Sequence, residues 1–462
     1  MNMAILRVEE IIEATGGELL SENSKTFKGV SIDSRTIADE EVFFAIRGER
    51  FNGHDFLESA LVKGSGAIVD TRPEPLPKGK VIIYVNDTLR SLQNLARFLR
   101  MKRDIPVVAV TGSNGKTTTK EMIYEILSKK YKTLKNEGNL NNHIGLPLSL
   151  MRLSPDDEVI VLEMGMNAAG EIRRLCEIAA PSHGVITNIG SAHVGRLGSY
   201  DAIRDAKLEI LEGPGVAIVN ADDSYLMQGI ENIKHFDGRI ITFGVNNEAH
   251  VMAKDVRITE RGSDFILEAG DRGSMPVSLN VHGLFNVYNA LAASAVSFSL
   301  GMSIDEIKTA IETYRAFPMR FEVLRKNGIT VINDSYNANP SSVEESLKEL
   351  IRLAAGGRAV AILGDMRELR EFSEDEHRNT GKTVSGIGID IFIAVGDMMN
   401  LAAKESMKAV GDKRGPQAFS FRDIDIAKKN IMEILKQGDT VLIKGSRTMA
   451  MERIIEGITD AV

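Results

Sequence analysis

The sequence contains one cysteine among its 462 residues, Cys176. A lone cysteine cannot form an internal disulfide, and a chain built without disulfides suits a reducing compartment, so we expect a cytoplasmic protein. Such a residue is more often a small buried apolar side chain than a reactive thiol. Cys176 is therefore not a candidate nucleophile.

Positive charge is also in deficit. The chain has 56 Lys and Arg against 64 Asp and Glu, which gives a net charge of -8. This balance argues against a general nucleic-acid-binding surface, although a local basic pocket for an anionic substrate is still allowed.

Long apolar runs are missing as well. The N-terminal stretch MNMAILRVEE reaches charged residues before any run long enough for a signal peptide or a membrane span. Residues 273–304 contain no Asp, Glu, Lys or Arg, but they include Pro276, His282 and several asparagines. We therefore expect a buried core helix near residues 290–300 and no membrane insertion. The chain shows no internal repeat or low-complexity tract.

The strongest local pattern is VVAVTGSNGKTTT at residues 107–119. A short apolar run, a glycine-rich turn and helical apolar spacing follow one another, and this order predicts a strand, a phosphate-binding loop and a helix. Lys116 would meet the outer phosphates, and the Thr117 hydroxyl would hold magnesium. The common spacing G-x-x-x-x-G-K-[ST] would need glycine where the chain has Val110, so the loop is a shorter form. We predict ATP binding by Thr111, Gly112, Ser113, Asn114, Gly115, Lys116, Thr117 and Thr118.

Two further strands of the same parallel sheet end in chemically useful residues. Glu163 follows the predicted strand at 159–162, and His193 follows the one at 184–189. Because the carboxyl ends of parallel strands meet at one edge, the two side chains could share a metal. A polar residue at a strand end is the commoner interpretation for either residue alone.

Lys207 lies within the apolar stripe of a predicted helix, four residues after Ile203 and three before Ile210. An ammonium that reaches solvent from the edge of the stripe is the ordinary interpretation. A desolvated Lys207 would have a lowered pKa and could act as a nucleophile toward carbon dioxide or as a phosphate ligand. The pattern alone leaves both open.

The whole chain is predicted to be α/β with three domains, since roughly 150 residues per domain is usual. Residues 1–103 mix short strands and helices, with polar clusters at 31–35 and 48–54 that could hold a phosphate or a sugar-uracil unit. Residues 104–316 form a parallel-sheet nucleotide domain with an antiparallel segment between 239 and 282. Residues 317–462 form a second, Rossmann-like doubly wound domain, and the site is expected in a cleft among the three.

With these stretches in hand, the chain resembles the Mur ligase family over essentially its full length. The loop TGSNGKTT, the segments LEMG around Glu163 and NIGSAH around His193, and the lysine at 207 match the family pattern. The resemblance implies two magnesium ions held by Thr117, Glu163, His193 and a carbamate on Lys207. Two departures stand out: Phe285 where the family often has His, and Arg370 where it often has Gly.

The resemblance also implies roles for residues outside the loop. Asn289 would contact adenine, Arg320 in FPMRFE would reach the outer phosphate across a hinge, and Asp334 in NDSYNANP would bind nucleotide. The first domain would bind the uridine part of the substrate. The implied UDP-substrate residues are Ser31, Asp33, Ser34, Arg35, Gly53, His54 and Asn142. Asp365 and Lys444 are predicted on the side of the incoming dipeptide.

The function implied is ATP-dependent amide ligation in peptidoglycan precursor synthesis, with Lys116, His193, Lys207 and Arg320 as catalytic residues. D-Alanyl-D-alanine would be joined to UDP-MurNAc-tripeptide through an acyl phosphate, by a monomer that binds no nucleic acid.

Several alternatives stay open. One is a family member that adds the third amino acid of the peptide or that polyglutamylates folate. A P-loop hydrolase or motor would want a strand ending in Asp, and a non-catalytic nucleotide-binding regulator would have no use for His193 and Lys207 together.

Overall fold

Short β-branched runs alternate with amphipathic helices along the chain, and in the computed structural model of the protein they form three main sheets. The structure describes residues 5–48, 50–190, 194–233, 236–408 and 415–459. The prediction of an α/β chain with three domains, two of them built on parallel sheets, is confirmed.

The first unit carries a five-stranded sheet. The strands of this unit are β1 Leu6–Arg7, β2 Glu18–Ser21, β3 Thr26–Phe27, β4 Gly29–Ser31, β5 Glu41–Phe44, β6 Gly66–Val69 and β7 Val81–Tyr84, and its helices are α1 Val8–Thr15, α2 Leu57–Lys63 and α3 Thr88–Met101. β1 and β3 pair with each other in a separate two-stranded antiparallel sheet. The sheet order is β2-β7-β6-β5-β4, with β2 antiparallel to β7 and the other neighbours parallel. The predicted boundary at residue 103 falls in the short connection after α3.

The central unit carries a nine-stranded sheet. Its strands are β8 Val107–Thr111, β9 Thr133–Lys135, β10 Val159–Glu163, β11 His183–Ile186, β12 Val216–Asn220, β13 Arg239–Gly244, β14 Val251–Thr259, β15 Gly262–Glu268 and β16 Ser274–Leu279. Its helices are α4 Lys116–Leu127, α5 Gly145–Leu150, α6 Glu171–Ala179, α7 Val194–Leu197, α8 Tyr200–Leu208, α9 Ser224–Glu231, α10 Leu284–Ser299 and α11 Ile304–Thr313.

Strand order decides which loops meet in the central unit. The order is β16-β15-β14-β13-β12-β11-β8-β10-β9, so β8 lies between β10 and β11. All three are parallel, and every residue of β8 and β10 is buried. The loop after β8, Glu163 at the end of β10 and the loop after β11 therefore share one edge, as predicted.

The antiparallel prediction between residues 239 and 282 is only partly right. β13 and β14 continue the parallel arrangement, and only β14, β15 and β16 pair antiparallel, within the same sheet. The sequence did not reveal that β13 is a parallel strand, because its apolar residues form no long continuous run, although it lies between β12 and β14.

The edge strand β16 is covered by α11. The Glu312 carboxylate accepts the Ser278 N–H at 3.0 Å, and the Lys308 ammonium donates to the Pro276 carbonyl oxygen at 2.7 Å. Proline is tolerated here because an edge strand can spare a backbone donor. The outer rim of the sheet is thus paired with side chains.

The stretch without acidic or basic residues folds as predicted into a core helix, α10, which is buried along most of its length. None of the helices in the described ranges is long and apolar enough to cross a membrane.

The third unit carries a six-stranded sheet. Its strands are β17 Glu322–Lys326, β18 Ile329–Asp334, β19 Ala359–Gly364, β20 Ile391–Val395, β21 Gln417–Phe421 and β22 Thr440–Lys444, and its helices are α12 Pro340–Ala354, α13 Ser373–Ile387, α14 Met399–Ser406, α15 Ile424–Ile434 and α16 Arg453–Thr459. The order is β17-β18-β22-β19-β20-β21, with β17 antiparallel and the rest parallel. Asp334 and Lys444 are direct partners at the ends of β18 and β22.

Asp222, just beyond β12, holds the loop that follows β13. Its carboxylate accepts the N–H groups of Val245, Asn246 and Asn247 at 2.7, 2.9 and 2.6 Å and the Tyr288 hydroxyl at 2.7 Å. Burial raises the pKa of Asp222, but these donors outweigh burial and the net shift is downward.

We expect Asp222→Asn to lower the free energy of unfolding by about 1–3 kcal/mol at pH 7, because an amide cannot accept all four bonds. A lowered carboxyl pKa stabilises the fold above the unfolded value of about 3.9 and loses that effect as pH falls. Urea unfolding at pH 7 and near pH 3 should show the gap to wild type closing with acid. Equal stabilities at pH 7 would contradict the assignment.

Candidate active site

The loop between β8 and α4 takes a conformation that requires glycine at two positions. Gly112 has φ 147° and Gly115 has φ 79°, a region that favours glycine. A Cβ at Gly112 would collide with the Thr187 hydroxyl, and one at Gly115 would collide with the Asn289 carboxamide. The loop therefore lies tight against its neighbours, with the positive end of α4 at its rim, which is the arrangement that binds phosphate.

Lys116 folds back over its own loop. Its ammonium donates to the carbonyl oxygens of Gly112 at 2.9 Å and Ser113 at 3.4 Å. Burial lowers the pKa of Lys116, and the negative charges of Glu163 and Glu368 oppose that shift. A phosphate would offer this ammonium stronger acceptors than two neutral carbonyl groups.

Thr117 and Glu163 form the hard-oxygen part of the site. The Thr117 hydroxyl donates to the Glu163 carboxylate at 2.8 Å and accepts from the Arg320 guanidinium at 3.2 Å. The Asn141 carboxamide donates to the second Glu163 oxygen at 2.8 Å. Magnesium is usually bound by one or two carboxylates together with phosphates and water, so a hydroxyl and a carboxylate beside a phosphate loop fit that ion. No group of three His, Cys, Asp or Glu side chains among the described residues forms a metal cage by itself.

Lys207 is buried on α8, with 1% of its surface exposed. Burial, and then the nearby charge of Lys116, lower the pKa of Lys207 well below its ordinary value. This shift favours the neutral amine, which is the form that reacts with carbon dioxide. The ordinary interpretation, in which the ammonium of Lys207 reaches solvent from the edge of the apolar stripe, is therefore wrong. His193, the predicted neighbour in metal binding, lies outside the described residues.

Arg320 enters the site from the linker before β17. Its guanidinium lies 3.8 Å from the centroid of the Tyr336 ring and donates to Thr117, while its Nε is buried with no partner among the described atoms. The flanking residues Met319 and Phe321 have φ 61° and 53°, a conformation that side chains rarely adopt. The linker is thus bent at two places around the guanidinium.

Asp334 and Lys444 form a buried pair at the ends of β18 and β22. The Lys444 ammonium donates to the Asp334 carboxylate at 2.5 Å, and Ser346 donates to the same oxygen at 2.7 Å. The Phe321 N–H donates to the other oxygen at 3.2 Å. Asp334 therefore connects the linker to the third sheet.

A second bridge joins the loop to the third unit. The Asn114 carboxamide donates to the Ser341 hydroxyl at 3.0 Å and accepts from the Asn339 carboxamide at 2.9 Å. Asn339 is also the N-cap of α12, since its oxygen accepts the Ser342 N–H at 2.9 Å. The loop between β8 and α4 is thus held to the start of α12 by three polar side chains.

Helix α10 supplies the far wall of the site. The Asn289 carboxamide accepts from the Thr119 hydroxyl and donates to the Asn286 carboxamide, both at 3.1 Å. Phe285 packs edge-to-face on Phe321, with ring centroids 5.0 Å apart. An aromatic contact therefore links the central unit to the linker that carries Arg320.

Most of these groups line one cavity of about 710 Å³, although Lys207 and Thr119 are not among its lining residues. Its size suits a nucleotide and part of a second substrate. The predicted residues that line it are Ser113, Asn114, Gly115, Lys116, Thr117, Thr118, Asn142, Glu163, Asn289, Arg320, Asp334 and Lys444. Thr111 and Gly112 lie just behind its wall, and the Thr111 hydroxyl donates to the Met164 carbonyl oxygen at 3.0 Å.

The two dipeptide-side candidates lie at the ends of neighbouring strands, β19 and β22, but make different contacts. Lys444 lines the cavity and is paired with Asp334, on the side that is predicted to bind nucleotide. Asp365 is buried, and its carboxylate accepts the Met399 N–H at 2.8 Å and lies 3.4 Å from the Arg367 guanidinium. The contacts of Asp365 are those of a residue that holds the start of α14.

The polar turn at Ser31–Arg35 lies at the end of β4, outside the cavity. Asp33 pairs with Arg35 through two oxygens at 2.9 and 2.6 Å, and these bonds lower the pKa of Asp33 to about 2. Ser31 caps the same turn through the Asp33 N–H at 3.2 Å, and Ser34 lies within it.

The second polar loop of the first unit, at residues 48–54, is held by Asp70, which lies outside that loop. His54 Nε2 accepts the Asp70 N–H at 3.1 Å, and burial lowers the pKa of His54 against the charge of Asp70. Arg47 donates to that carboxylate at 2.8 Å. Gly53 packs directly on the backbone of Ile46, which leaves no room for a side chain.

Sequence reasoning missed several residues that build the cavity. Tyr336, Asn339 and Glu368 come from the third unit and line the cavity or its rim. The polar run after β18, SYNANP, was a signal for the first two. The side chain of Asn142, a predicted substrate residue, accepts the Gly145 N–H at 2.8 Å at the start of α5 and also lines the cavity. Its neighbour Asn141 contacts Glu163.

Comparison with known proteins agrees with this architecture. Three family models match in order: the Mur ligase family catalytic domain at residues 26–102, the Mur ligase middle domain at 110–297 and the Mur ligase glutamate ligase domain at 319–447. The chain belongs to the Mur ligase family. A relative from Bacillus subtilis named UDP-N-acetylmuramoyl-tripeptide--D-alanyl-D-alanine ligase is 34% identical to this Mur ligase, over 98% of each chain.

Solved Mur ligase structures have the same fold. MurF from Acinetobacter baumannii superposes with a TM-score of 0.91 at 30% identity, over 100% of both chains. MurF from Thermotoga maritima in complex with ADP gives a TM-score of 0.82 at 29% identity, over 93% of this chain and 96% of that one.

The two departures from the Mur ligase pattern have visible consequences. Phe285, where the resemblance led us to expect His, makes the aromatic contact to Phe321. Arg370 keeps a backbone that suits glycine, since its φ is 49°.

Proposed function

We propose that this Mur ligase joins D-alanyl-D-alanine to UDP-MurNAc-tripeptide at the expense of ATP, in peptidoglycan precursor synthesis. The observation that carries the proposal is the cavity itself, where the loop of the central unit faces Arg320 and Asp334 of the third. The names of the relatives, which are D-alanyl-D-alanine ligases, support the choice of substrates.

The reaction takes two steps because a carboxylate is a poor electrophile. The γ-phosphoryl group of ATP first passes to the terminal carboxylate of the tripeptide: an O–P bond forms, the bond to the β-phosphate oxygen breaks and ADP is released. The amine of D-alanyl-D-alanine then attacks the carbonyl carbon. Inorganic phosphate departs with the C–O electron pair, a proton leaves the nitrogen, and an amide remains.

The chain's own cations stabilise the first step. Lys116 and Arg320 line the same cavity as Thr117, where the transferred phosphoryl group would be, and Arg320 donates to the Thr117 hydroxyl. Charge that develops on its oxygens is offset by these fixed groups and by the N-terminus of α4. Asn289 and Asp334 would hold the nucleoside part of ATP.

Magnesium would be held by Thr117 and Glu163, with His193 and a carbamate on Lys207 completing two sites. When bound, the ions neutralise phosphate charge and orient the leaving group. The burial of Lys207 and its lowered pKa support the carbamate, because a neutral amine nitrogen can attack carbon dioxide and release a proton to give a carboxylate-like group.

We further propose a division of labour among residues 1–103, 104–316 and 317–462. The first part would bind the uridine diphosphate end through Ser31, Asp33, Ser34, Arg35, Gly53 and His54, and Asn142 of the second part would contact the same substrate. The second would bind ATP, and the third would close over it and bring the dipeptide, with Asp365 and Lys444 remaining predictions for that end. The soluble nucleotide-linked substrates support a cytoplasmic enzyme, and a monomer is proposed, which light scattering would test.

Phosphate release by the purified protein tests the function. ATP and magnesium are supplied with UDP-MurNAc-tripeptide, with D-alanyl-D-alanine, and then with both, using lysine and diaminopimelate tripeptides in parallel. We expect release only with both substrates, and a product heavier by one dipeptide. Release with ATP alone would indicate a hydrolase, and release with a single amino acid would indicate another ligase of the family.

A further inference from the structure

Asn136 lies directly after β9 and is 1% exposed. The pairing of β9 with β10 ends where Lys135 faces Val161. Beyond that point the Asn136 side chain makes the bonds that a neighbouring strand would make. Its Oδ1 accepts the Glu163 N–H, and its Nδ2 donates to the Glu163 carbonyl oxygen, both at 2.9 Å. A side-chain amide therefore replaces the missing strand neighbour of Glu163.

The same carboxamide also fixes the loop that touches the Glu163 carboxylate. Asn136 Nδ2 donates to the Leu140 carbonyl oxygen at 2.9 Å. The next residue, Asn141, donates to Glu163 Oε1 at 2.8 Å. Both the backbone and the carboxylate of Glu163 are thus tied to one buried amide.

Lys120 connects Asn136 to α4, the helix that follows the predicted phosphate-binding loop. Its side chain is fully buried, and its ammonium donates to the Asn136 carbonyl oxygen at 2.8 Å and pairs with Glu121 at 2.9 Å. Lys120 lies on α4, one turn after Lys116 and Thr117. A buried charge is costly unless it is paired and hydrogen-bonded. Neither step of the proposed reaction uses Lys120 directly.

We propose that Asn136, held by Lys120, is a positioning residue that places the Glu163 carboxylate beside Thr117 for the metal ion. The inference rests on the proposed magnesium site. Residues that hydrogen-bond to metal ligands help to set the metal affinity, and their mutation typically lowers that affinity 10–100-fold. A merely structural asparagine would affect stability and leave the metal affinity of the folded protein unchanged.

The test measures Mn²⁺ binding by electron paramagnetic resonance, with the full-length protein and a non-hydrolysable ATP analogue. We expect Asn136→Ala to raise the dissociation constant for Mn²⁺ about 10–100-fold. Asn136→Asp keeps the acceptor for the Glu163 N–H but loses the donor, so a smaller rise is expected. Lys120→Met should shift the constant in the same direction.

Asn327→Ala is the matched control, since Asn327 donates to the Ile458 carbonyl oxygen at 2.8 Å in the third unit. It should lose stability and bind Mn²⁺ like wild type. Wild-type affinity in Asn136→Ala would overturn the inference. If that variant does not fold, wild-type affinity in both Asn136→Asp and Lys120→Met would overturn it equally. Wild-type protein that binds no Mn²⁺ would instead remove the proposed metal site itself.

Discussion

Lys207→Ala is expected to lower kcat on the order of 10³-fold, the size of losing one fixed charge-stabilising group. The variant removes the buried amine on which the carbamate would form and leaves a space of about the length of that side chain. Formate or acetate that enters this space would supply a carboxylate in its place. We therefore expect partial recovery of phosphate release at high concentrations of either acid.

Lys207→Met is the matched control because it fills the space without a nucleophile. It should be as inactive as the alanine variant, close to wild type in thermal stability, and insensitive to added carboxylates. Isotopically labelled carbon dioxide should give a carbamate signal in wild type and in neither variant. Full activity of Lys207→Met would contradict the carbamate.

Arg320→Ala is expected to lower kcat by about 10²–10³-fold, with a smaller change in the KM for ATP. The guanidinium comes from the linker, reaches Thr117 and rests on the Tyr336 ring. We infer that it contacts the phosphoryl group only when the third domain has closed over ATP, so its loss should affect chemistry more than nucleotide binding. Steady-state phosphate release and direct titration of ATP separate the two.

Arg315→Ala serves as the control from the same region, because Arg315 is exposed and donates only to carbonyl oxygens of its own turn. It should behave as wild type in both assays. Turnover of Arg320→Ala at the wild-type rate would show that domain closure does not deliver this group.

Local patterns predicted the parts of the site that are built from neighbouring residues. The loop at residues 107–119 could be recognised because its strand, glycines and helix follow one another directly. Glu163 could be placed because it ends an apolar run. In both cases backbone conformation and side-chain chemistry are set within a few residues.

Contacts between distant parts of the chain could not be predicted in this way. The bond between Asn114 and Asn339 joins residues 225 apart, and Lys444 meets Asp334 because β22 inserts next to β18. Nothing in either local sequence specifies that strand order. For the same reason the contact between the Asp365 carboxylate and the start of α14 could not be predicted.

The covering of β16 by α11 also bears on how the protein behaves outside its catalytic cycle. An uncovered edge of a nine-stranded sheet would offer its backbone groups to another chain and invite intermolecular pairing. Here Glu312 and Lys308 occupy those groups, and Pro276 removes one donor altogether. This edge is thereby protected against aggregation during folding and storage, so substitutions at Glu312 should reduce the yield of dispersed protein before they affect catalysis.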